Sequence, residues 1–412
     1  LITTLEKPLS PSFRVNPLKT TPDFITSLAE KYAWQLEPIP YCSTGYRVLN
    51  ASPSALSSTL EHKQGMYYIQ EAASMLPVEL FSTFDPADLI LDMAASPGGK
   101  TTHLVSRSGD SGMVLANDSS QGRIQSLRFV LQNWGGVNYA VTRFPAESFG
   151  EWYPGVFNKI LLDAPCSMQG LRVSESHALR PVTEKESAQL SIRQTALLTS
   201  ALQAVRIGGE VVYSTCTLLP QEDEGVIDNI LKRFGSSVSL LDAQTILPSP
   251  APGISRAYER QFFPGMEKTI RLWPHRYHTA GFFACILQKT GSLDLPVASP
   301  PAHDMEKAGF FEMPEMDTLS FCCKFAQQYG YDLKHYLENE RRVLVRREQK
   351  VYLFPSLLLE KFPALPVQSA GLLLGEDSAE GFIPSHEWVS RFGKECQRGA
   401  FMLDSNNEKR WL

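Results

Sequence analysis

The segment that most constrains the fold is LILDMAASPGGK, residues 89–100, which reads as a strand, a glycine-rich turn and the start of a helix. Leu89, Ile90 and Leu91 form an apolar run of the right length for one buried strand. Two glycines follow in the turn, and they allow a ligand to approach the backbone closely because they carry no Cβ. The segment therefore predicts the strand–turn–helix unit that binds nucleotide-like ligands in α/β proteins.

The composition of this turn indicates which ligand it binds. A phosphate-binding loop needs another glycine at position 94, which is Ala94, and the dinucleotide motif GxGxxG is also absent. An acidic residue at the strand end before a turn of small residues is typical of S-adenosylmethionine sites, because the ligand's sulfonium and amino groups favour a carboxylate. An ordinary turn without a ligand is the alternative. The predicted contacts to S-adenosylmethionine are Asp92, Ala94, Ala95, Ser96, Pro97, Gly98, Gly99 and Lys100, together with Asp118 and Asp163 at later strand ends.

Strand and helix patterns alternate from residue 89 to about 289, which predicts a Rossmann-like α/β fold with a doubly wound parallel sheet. The predicted strands are 89–92, 113–116, 138–142, 158–163 and 209–214, with a terminal pair near 269–273 and 281–287. The predicted helices are 100–107, 121–134, 184–206 and 221–234. Ligands bind such sheets at the carboxyl ends of the strands, so we expect the chemistry at that edge.

The length of 412 residues suggests two or three domains. We expect a small N-terminal α+β segment at residues 1–60 and a catalytic domain at 61–290. A proline-interrupted linker then covers 291–314, and a separate small domain covers 315–412.

The composition, 43% hydrophobic and 20% charged, is that of a soluble globular protein, and its net charge of −5 restricts any RNA-binding surface to a local patch. No apolar run approaches the ~18 residues of a membrane span, and no signal peptide is evident. The seven cysteines are scattered without a CxxC pair, and the histidines lack metal-ligand spacing. We therefore expect a reduced, cytoplasmic, monomeric protein without metal.

Three further strand ends carry reactive side chains. Asp118 follows the second strand, where it can bind ribose hydroxyls or instead cap the next helix. The run DAPCS (163–167) ends the fourth strand and STCT (214–217) ends the fifth, so Asp163, Cys166 and Cys216 should converge at one edge. A single cysteine is more often a small buried hydrophobe, but two at neighbouring strand ends favour chemistry.

A methyl donor, a thiol and a carboxylic acid together fit methylation of a pyrimidine at carbon 5. This carbon is a poor nucleophile until a thiolate adds to carbon 6 and makes the ring enamine-like. A carboxyl group near N3 stabilises the adduct, and a second cysteine can assist release of the product. The target base must leave its stack, which favours base flipping or an unpaired loop.

The runs LDMAASPGGKT, LANDSSQGR, LLDAPCS and YSTCTL, in this order, resemble the NOL1/NOP2/Sun family of RNA 5-methylcytosine methyltransferases. The upstream runs RVN (14–16) and QEA (70–72) are similar to that family as well, and within it the chain looks most like a bacterial 16S ribosomal RNA enzyme. The resemblance implies a class I S-adenosylmethionine-dependent fold, Cys216 as nucleophile, and Cys166 as the residue that helps release product. It also implies Asp118 as the ribose-binding acid, Asp163 as the catalytic acid, and a PUA-like RNA-binding domain at the C-terminus.

Two positions depart from the family pattern. Met168 stands where the family usually has glycine, and Pro145 aligns with an aspartate that binds the adenine amine. Glu147 could substitute for that aspartate, or apolar contacts could hold the adenine. These departures keep open a catalytically weakened RNA-binding or ribosome-assembly factor. A transfer RNA enzyme and a small-molecule methyltransferase are further alternatives.

Basic side chains near the motifs are the candidate RNA contacts, with ordinary solvated surface charge as the alternative reading of each. They are Arg14, Lys19, Arg172 and Arg180, together with Arg341, Arg342, Arg346 and Arg347 in the C-terminal region.

Overall fold

The computed structural model describes residues 9–171, 181–303, 305–379 and 381–399. Two predicted RNA contacts, Arg172 and Arg180, lie outside these ranges. Across the described ranges, every helix is too short or too polar to cross a membrane.

The N-terminal region forms an antiparallel sheet in the order β2-β3-β1-β4. Its elements are β1 Ser12–Val15, α1 Phe24–Tyr32, β2 Leu36–Ile39, β3 Cys42–Val48, α2 Pro53–Ser57, α3 Leu60–Lys63 and β4 Tyr67–Ile69. Phe13 and Tyr67 pack in its core with their ring centroids 4.8 Å apart. Because β4 pairs with β1, this sheet continues beyond the boundary predicted at residue 60.

A second sheet, with nine strands among the described residues, forms the centre of the molecule. Its strands are β5 Leu89–Asp92, β6 Met113–Asn117, β7 Tyr139–Thr142, β8 Phe157–Asp163, β9 Val205–Thr215, β10 Val238–Leu240, β13 Ile270–Leu272, β14 Phe282–Lys289 and a short C-terminal strand β18 Ser369–Ala370. Strands β5 to β9 run parallel, and β14 joins β9 antiparallel. The predicted Rossmann-like α/β fold is confirmed.

The four longest described helices around this sheet lie close to the predicted ranges. The described helices of this region are α4 Leu76–Glu79, α5 Gly99–Arg107, α6 Gln121–Trp134, α7 Phe149–Trp152, α8 Glu184–Ala204, α9 Glu224–Phe234 and α10 Pro274–Tyr277, and a minor hairpin is formed by β11 Arg256–Ala257 and β12 Arg260–Gln261. A 3₁₀ turn, Ala72–Met75, directly precedes α4.

Both faces of the central sheet are covered. Leu89 and Leu91 belong to the hydrophobic core on one face, while Ile90 between them belongs to the core on the other. This two-sided burial explains why β5 is a continuous apolar run instead of an alternating one.

The order of the strands in the central sheet indicates where the candidate site lies. β5 lies between β6 and β8, so the chain reverses its direction of travel across the sheet at this point. Such a switch point opens a crevice at the carboxyl ends of the strands. The turn after β5 and the residues that end β8 and β9 all face this crevice.

The C-terminal region forms a five-stranded antiparallel sheet in the order β15-β16-β17-β19-β20. Its elements are β15 Phe311–Glu312, α11 Glu315–Tyr329, α12 Leu333–Asn339, β16 Arg342–Arg347, β17 Lys350–Pro355, α13 Ser356–Lys361, β19 Leu372–Ser378, β20 Gly381–Pro384 and α14 His386–Phe392. Phe362 stacks on Phe157 of the central sheet with centroids 5.8 Å apart. The region therefore packs directly against the central sheet, and its PUA-like character stays a prediction.

Candidate active site

Hydrogen bonds and a left-handed glycine shape the turn after β5. Ala95 N–H donates to the Asn117 carbonyl at 2.8 Å, and Ser96 N–H donates to Asp118 Oδ2 at 3.2 Å. Gly98 has a φ of +117°, where a side chain would be strained, and a Cβ on Gly99 would lie 2.8 Å from the Tyr68 ring. The two glycines thus have a steric reason to be there.

Two cavities meet at this turn and share Ala94, Ser96 and Asp163. The smaller, about 190 Å³, is lined by every predicted turn residue from 94 to 100 except Gly98. The larger, about 370 Å³, is within the range of small-molecule sites. Its walls include the predicted site residues Ala94, Ser96, Asp118, Asp163, Cys166 and Cys216.

Asp92 is buried beside the turn, and its side chain lines neither of these two cavities. Its residue surface is 1% exposed, and its Oδ2 accepts a hydrogen bond from Thr101 Oγ1 at 2.7 Å. Burial raises the pKa of Asp92 to about 7. The carboxyl group lies beneath the turn and ties the start of α5 to the end of β5.

Asp118 contacts the turn after β5 and the start of the next helix. Its Oδ1 accepts from Ser120 N–H at 2.8 Å and from the Arg123 guanidinium at 3.2 Å. The N-cap residue of α6 is Ser120, so Asp118 itself is not the cap. Its position on the wall of the larger cavity is compatible with the predicted ribose contact.

Asp163 holds two polar partners where β8 ends. Its Oδ2 lies 2.8 Å from the Lys100 ammonium, and its Oδ1 accepts from Ser214 Oγ at 2.7 Å. Burial by itself would lower the pKa of Lys100, but the Asp163 carboxylate holds it above its ordinary value. Lys100 is therefore a cation bound to Asp163, a pairing that the glycine-rich motif alone did not predict.

The two cysteines predicted to converge are in contact. Cys166 Sγ and Cys216 Sγ lie 3.3 Å apart at the edge of the larger cavity. The hydrogen bond to Cys216, together with burial, raises the pKa of the Cys166 thiol well above its ordinary value. Cys166 is therefore the member of the pair whose surroundings favour the protonated thiol.

The structure also locates the two positions that depart from the family pattern. Met168 has a φ of +58°, in the region that favours glycine, and its side chain is 41% exposed. Neither Pro145 nor Glu147 lines the larger cavity, and Glu147 instead pairs with Arg193 at 3.3 Å. Ala146 and Leu197 supply apolar wall there, so the described geometry favours apolar contacts over Glu147 as the substitute.

Three of the basic residues predicted to contact RNA are wrong for that role, because they are buried. Arg14 is 0% exposed and donates to Gly99 O and Thr102 Oγ1 at 3.0 and 2.6 Å. Lys19 Nζ donates to Gln64 O, Asn133 O and Ser390 Oγ. Arg342 donates to the Asp110 carbonyl. All three support internal structure.

The other C-terminal arginines remain candidates. Arg341 and Arg347 are exposed, and Arg347 lies over the Phe310 ring at 4.9 Å. Arg346 pairs with Asp377, which reduces the charge it can offer to a phosphate.

Two residues that the motifs did not single out lie behind the cysteines. Gln194 on α8 and Glu222 after β9 are both 0% exposed. The only sequence signal for Glu222 is its place in the acidic run EDE (222–224), six residues after Cys216.

Comparison with known proteins identifies relatives along the whole chain. The model of the 16S rRNA methyltransferase RsmB/F family matches residues 82–288, and that of the N-terminal domain of 16S rRNA methyltransferase RsmF matches residues 1–72. The ribosomal RNA small subunit methyltransferase F of Erwinia tasmaniensis is 33% identical over 416 aligned residues, covering 100% of this chain and 83% of that protein. Its counterpart in Aeromonas salmonicida is 32% identical with the same coverage.

A solved structure supports the same relationship. A methyltransferase homologue from Pyrococcus horikoshii superposes with a TM-score of 0.61 and 31% identity, covering 70% of this chain and 88% of that one. The resemblance predicted from the motifs is confirmed. The chain belongs to the NOL1/NOP2/Sun family of RNA methyltransferases, within the 16S rRNA methyltransferase RsmB/F group.

Proposed function

We propose that this protein transfers a methyl group from S-adenosylmethionine to carbon 5 of a cytosine in small-subunit ribosomal RNA, through a covalent bond between Cys216 and carbon 6. The observation that carries the proposal is the 3.3 Å contact between two free thiols beside the Asp163–Lys100 pair. The relatives' names support ribosomal RNA of the small subunit as the substrate.

The residues around the larger cavity fit the proposed methyl donor. Asp118 supplies a carboxylate for hydroxyl groups, Ala146 and Leu197 supply apolar wall, and the turn leaves its backbone open because of its small residues. When bound, this cofactor supplies an electrophilic methyl group. The chain's own residues then have to activate the base, which is otherwise unreactive at carbon 5.

Activation begins with Cys216. Its thiolate forms a bond to carbon 6 of the cytosine, and the electron pair of the 5,6 double bond becomes available at carbon 5. Negative charge spreads onto the N3–O2 edge of the ring. Lys100 and Asp163 form a preorganised polar pair that stabilises charge developing at that edge.

Release reverses the addition. After methyl transfer, a base takes the proton from carbon 5, and the electron pair of that C–H bond reforms the 5,6 double bond. The bond between Cys216 and carbon 6 then breaks, and its electron pair leaves on the Cys216 sulfur. Cys166 keeps its proton because its pKa is raised, so its S–H can donate a hydrogen bond to the departing sulfur. This division assigns attack to one thiol and release to the other.

The two cysteines make the proposal testable. The full chain, labelled methyl donor and small-subunit RNA are incubated, and nucleoside mass spectrometry measures 5-methylcytidine. Cys216→Ala should lower its formation by roughly 10⁴-fold or more, the order lost when a covalent nucleophile is removed. Cys166→Ala should accumulate a protein–RNA adduct that survives denaturing electrophoresis.

Cys323→Ala is the matched control, since this exposed thiol is distant in sequence from both motifs. Methylation that survives Cys216→Ala would contradict the covalent mechanism. Absence of methylation by wild type on small-subunit RNA, with binding retained, would favour an RNA-binding assembly factor. Methylation of transfer RNA instead would contradict the proposed substrate and leave the proposed reaction unchanged.

A further inference from the structure

Two buried polar side chains hold the backbone on either side of Cys166. Gln194 Nε2 donates to the Pro165 carbonyl at 2.9 Å and to Glu222 Oε2 at 3.0 Å. The same Glu222 oxygen accepts from Ser167 N–H at 2.9 Å. The peptide groups before and after Cys166 are therefore bound to one linked pair of side chains.

The same pair is connected to the strand that directly precedes Cys216. Tyr213 Oη donates to the Glu222 carbonyl at 2.6 Å, two residues from the end of that strand. Ser167 Oγ and Thr217 Oγ1 lie 3.0 Å apart, which joins the residues that directly follow the two cysteines. The separation of the two thiols is thus set by a network that reaches both.

Stability alone gives no reason for this pair. Gln194 Oε1 and Glu222 Oε1 are buried without a hydrogen-bond partner among the described residues. A buried carboxylate and two unpaired polar atoms are unfavourable, and apolar side chains of similar size are often the more stable choice. Incompletely paired buried groups of this kind call for a functional explanation.

We propose that Gln194 and Glu222 are positioning residues that keep the Cys166 thiol in reach of Cys216 and so control release of the covalent RNA adduct. The position of the thiol follows from the hydrogen bonds alone. The effect on release rests on the function proposed above.

The first measurement needs neither RNA nor methyl donor. Diamide oxidises the two thiols to a disulfide and is itself reduced to the hydrazine by the two electrons and two protons that it takes up. The rate of Cys166–Cys216 disulfide formation therefore measures how often the two sulfur atoms come into contact. The background Cys323→Ser removes an exposed thiol. Glu222→Leu and Gln194→Leu should each slow this disulfide at least tenfold by peptide mass spectrometry, in protein whose circular dichroism spectrum and cooperative unfolding show that it is folded.

Glu222→Gln is the conservative control, because its amide oxygen can still accept from Ser167 N–H; its disulfide rate should stay within about threefold of wild type. The two leucine variants give independent tests if one of them does not fold. Disulfide formation at the wild-type rate in a folded leucine variant would overturn the proposed positioning role.

The second measurement follows the covalent adduct during turnover with small-subunit RNA. The leucine variants should lower kcat without raising KM and should accumulate adduct as Cys166→Ala does. If Cys166→Ala traps adduct while both leucine variants turn over normally, control of release is overturned and the proposed function stands. If Cys166→Ala traps none, the proposed mechanism of release fails, and the diamide rates still decide the positioning role.

Discussion

Three aspartates at strand ends show how the surroundings of a residue decide its chemistry. Asp92 is buried beneath a helix start, Asp118 accepts hydrogen bonds from a loop, and Asp163 is paired with Lys100. The sequence predicted all three as site residues because each follows a strand. It could not separate them, because the burial of Asp92 and the pairing of Asp163 with Lys100 are set by how distant segments pack in the folded chain.

One buried histidine, His103, should make the stability of the protein depend on pH in the acid range. His103 is 1% exposed, its Nε2 lies 3.0 Å from Glu79, and its Nδ1 has no partner among the described residues. A second proton would have to reside on that partnerless nitrogen. Burial, aided by the nearby Arg14 charge, lowers the pKa of His103 from 6.5 to about 4.

This lowered pKa predicts a defined pH dependence. Between pH 6.5 and about 4 the unfolded state binds a proton that the folded state does not, so stability falls as the pH falls. For a difference of one bound proton, the free energy of unfolding falls by about 1.4 kcal/mol for each pH unit. Urea unfolding should show that, across this window, the free energy of unfolding of wild type falls more steeply with decreasing pH than that of His103→Gln, by about this slope. Parallel plots of the two free energies against pH would contradict the prediction.

At the level of elements, the long strands and helices could be predicted and the short ones could not. The apolar runs of β5 and β8 mark their strands, and α8 and α6 begin where the helical pattern begins. The strand β18 has two residues and no apolar alternation, so its pairing with β7 has no local signal. Tertiary packing alone puts it at that edge.

This edge pairing predicts a specific loss of stability. Gln368 has an exposed side chain, and its N–H donates to the Val141 carbonyl at 2.7 Å. Gln368→Pro removes that donor and should lower the free energy of unfolding by about 1–3 kcal/mol, because the carbonyl loses its partner. Gln368→Ala keeps the N–H and serves as control. Equal thermal stability of the two variants would show that the pairing contributes little.

At the scale of the whole molecule, buried charges join regions that the sequence suggested were separate. Arg391 of α14 pairs with Asp110 of the catalytic domain, and Arg342 of β16 donates to the Asp110 carbonyl. Lys19 Nζ binds Asn133 O and Ser390 Oγ at 2.7 and 2.8 Å, which ties all three regions together. Neither the linker pattern nor the local charge indicates these contacts.

Breaking one of these pairs should destabilise the domain contact. Arg391→Met leaves the Asp110 carboxylate buried at 2% exposure without its cation, and we expect a loss of about 3–5 kcal/mol in the free energy of unfolding. The double variant Asp110→Asn/Arg391→Met should recover part of that loss, because no buried charge is left unpaired. Calorimetry would measure both; a loss below about 1 kcal/mol would mean that packing alone holds the regions together.

The sequence by itself determined the α/β fold, the turn after β5 and the two cysteine motifs, because apolar periodicity and local turn chemistry act over a few residues. The tertiary structure decided which polar groups meet. It paired Lys100 with Asp163, buried Arg14 and Arg342 away from RNA, and put Gln194 and Glu222 behind Cys166. Hydrogen bonds and ion pairs join residues that are distant in sequence, and only the folded chain brings such partners together.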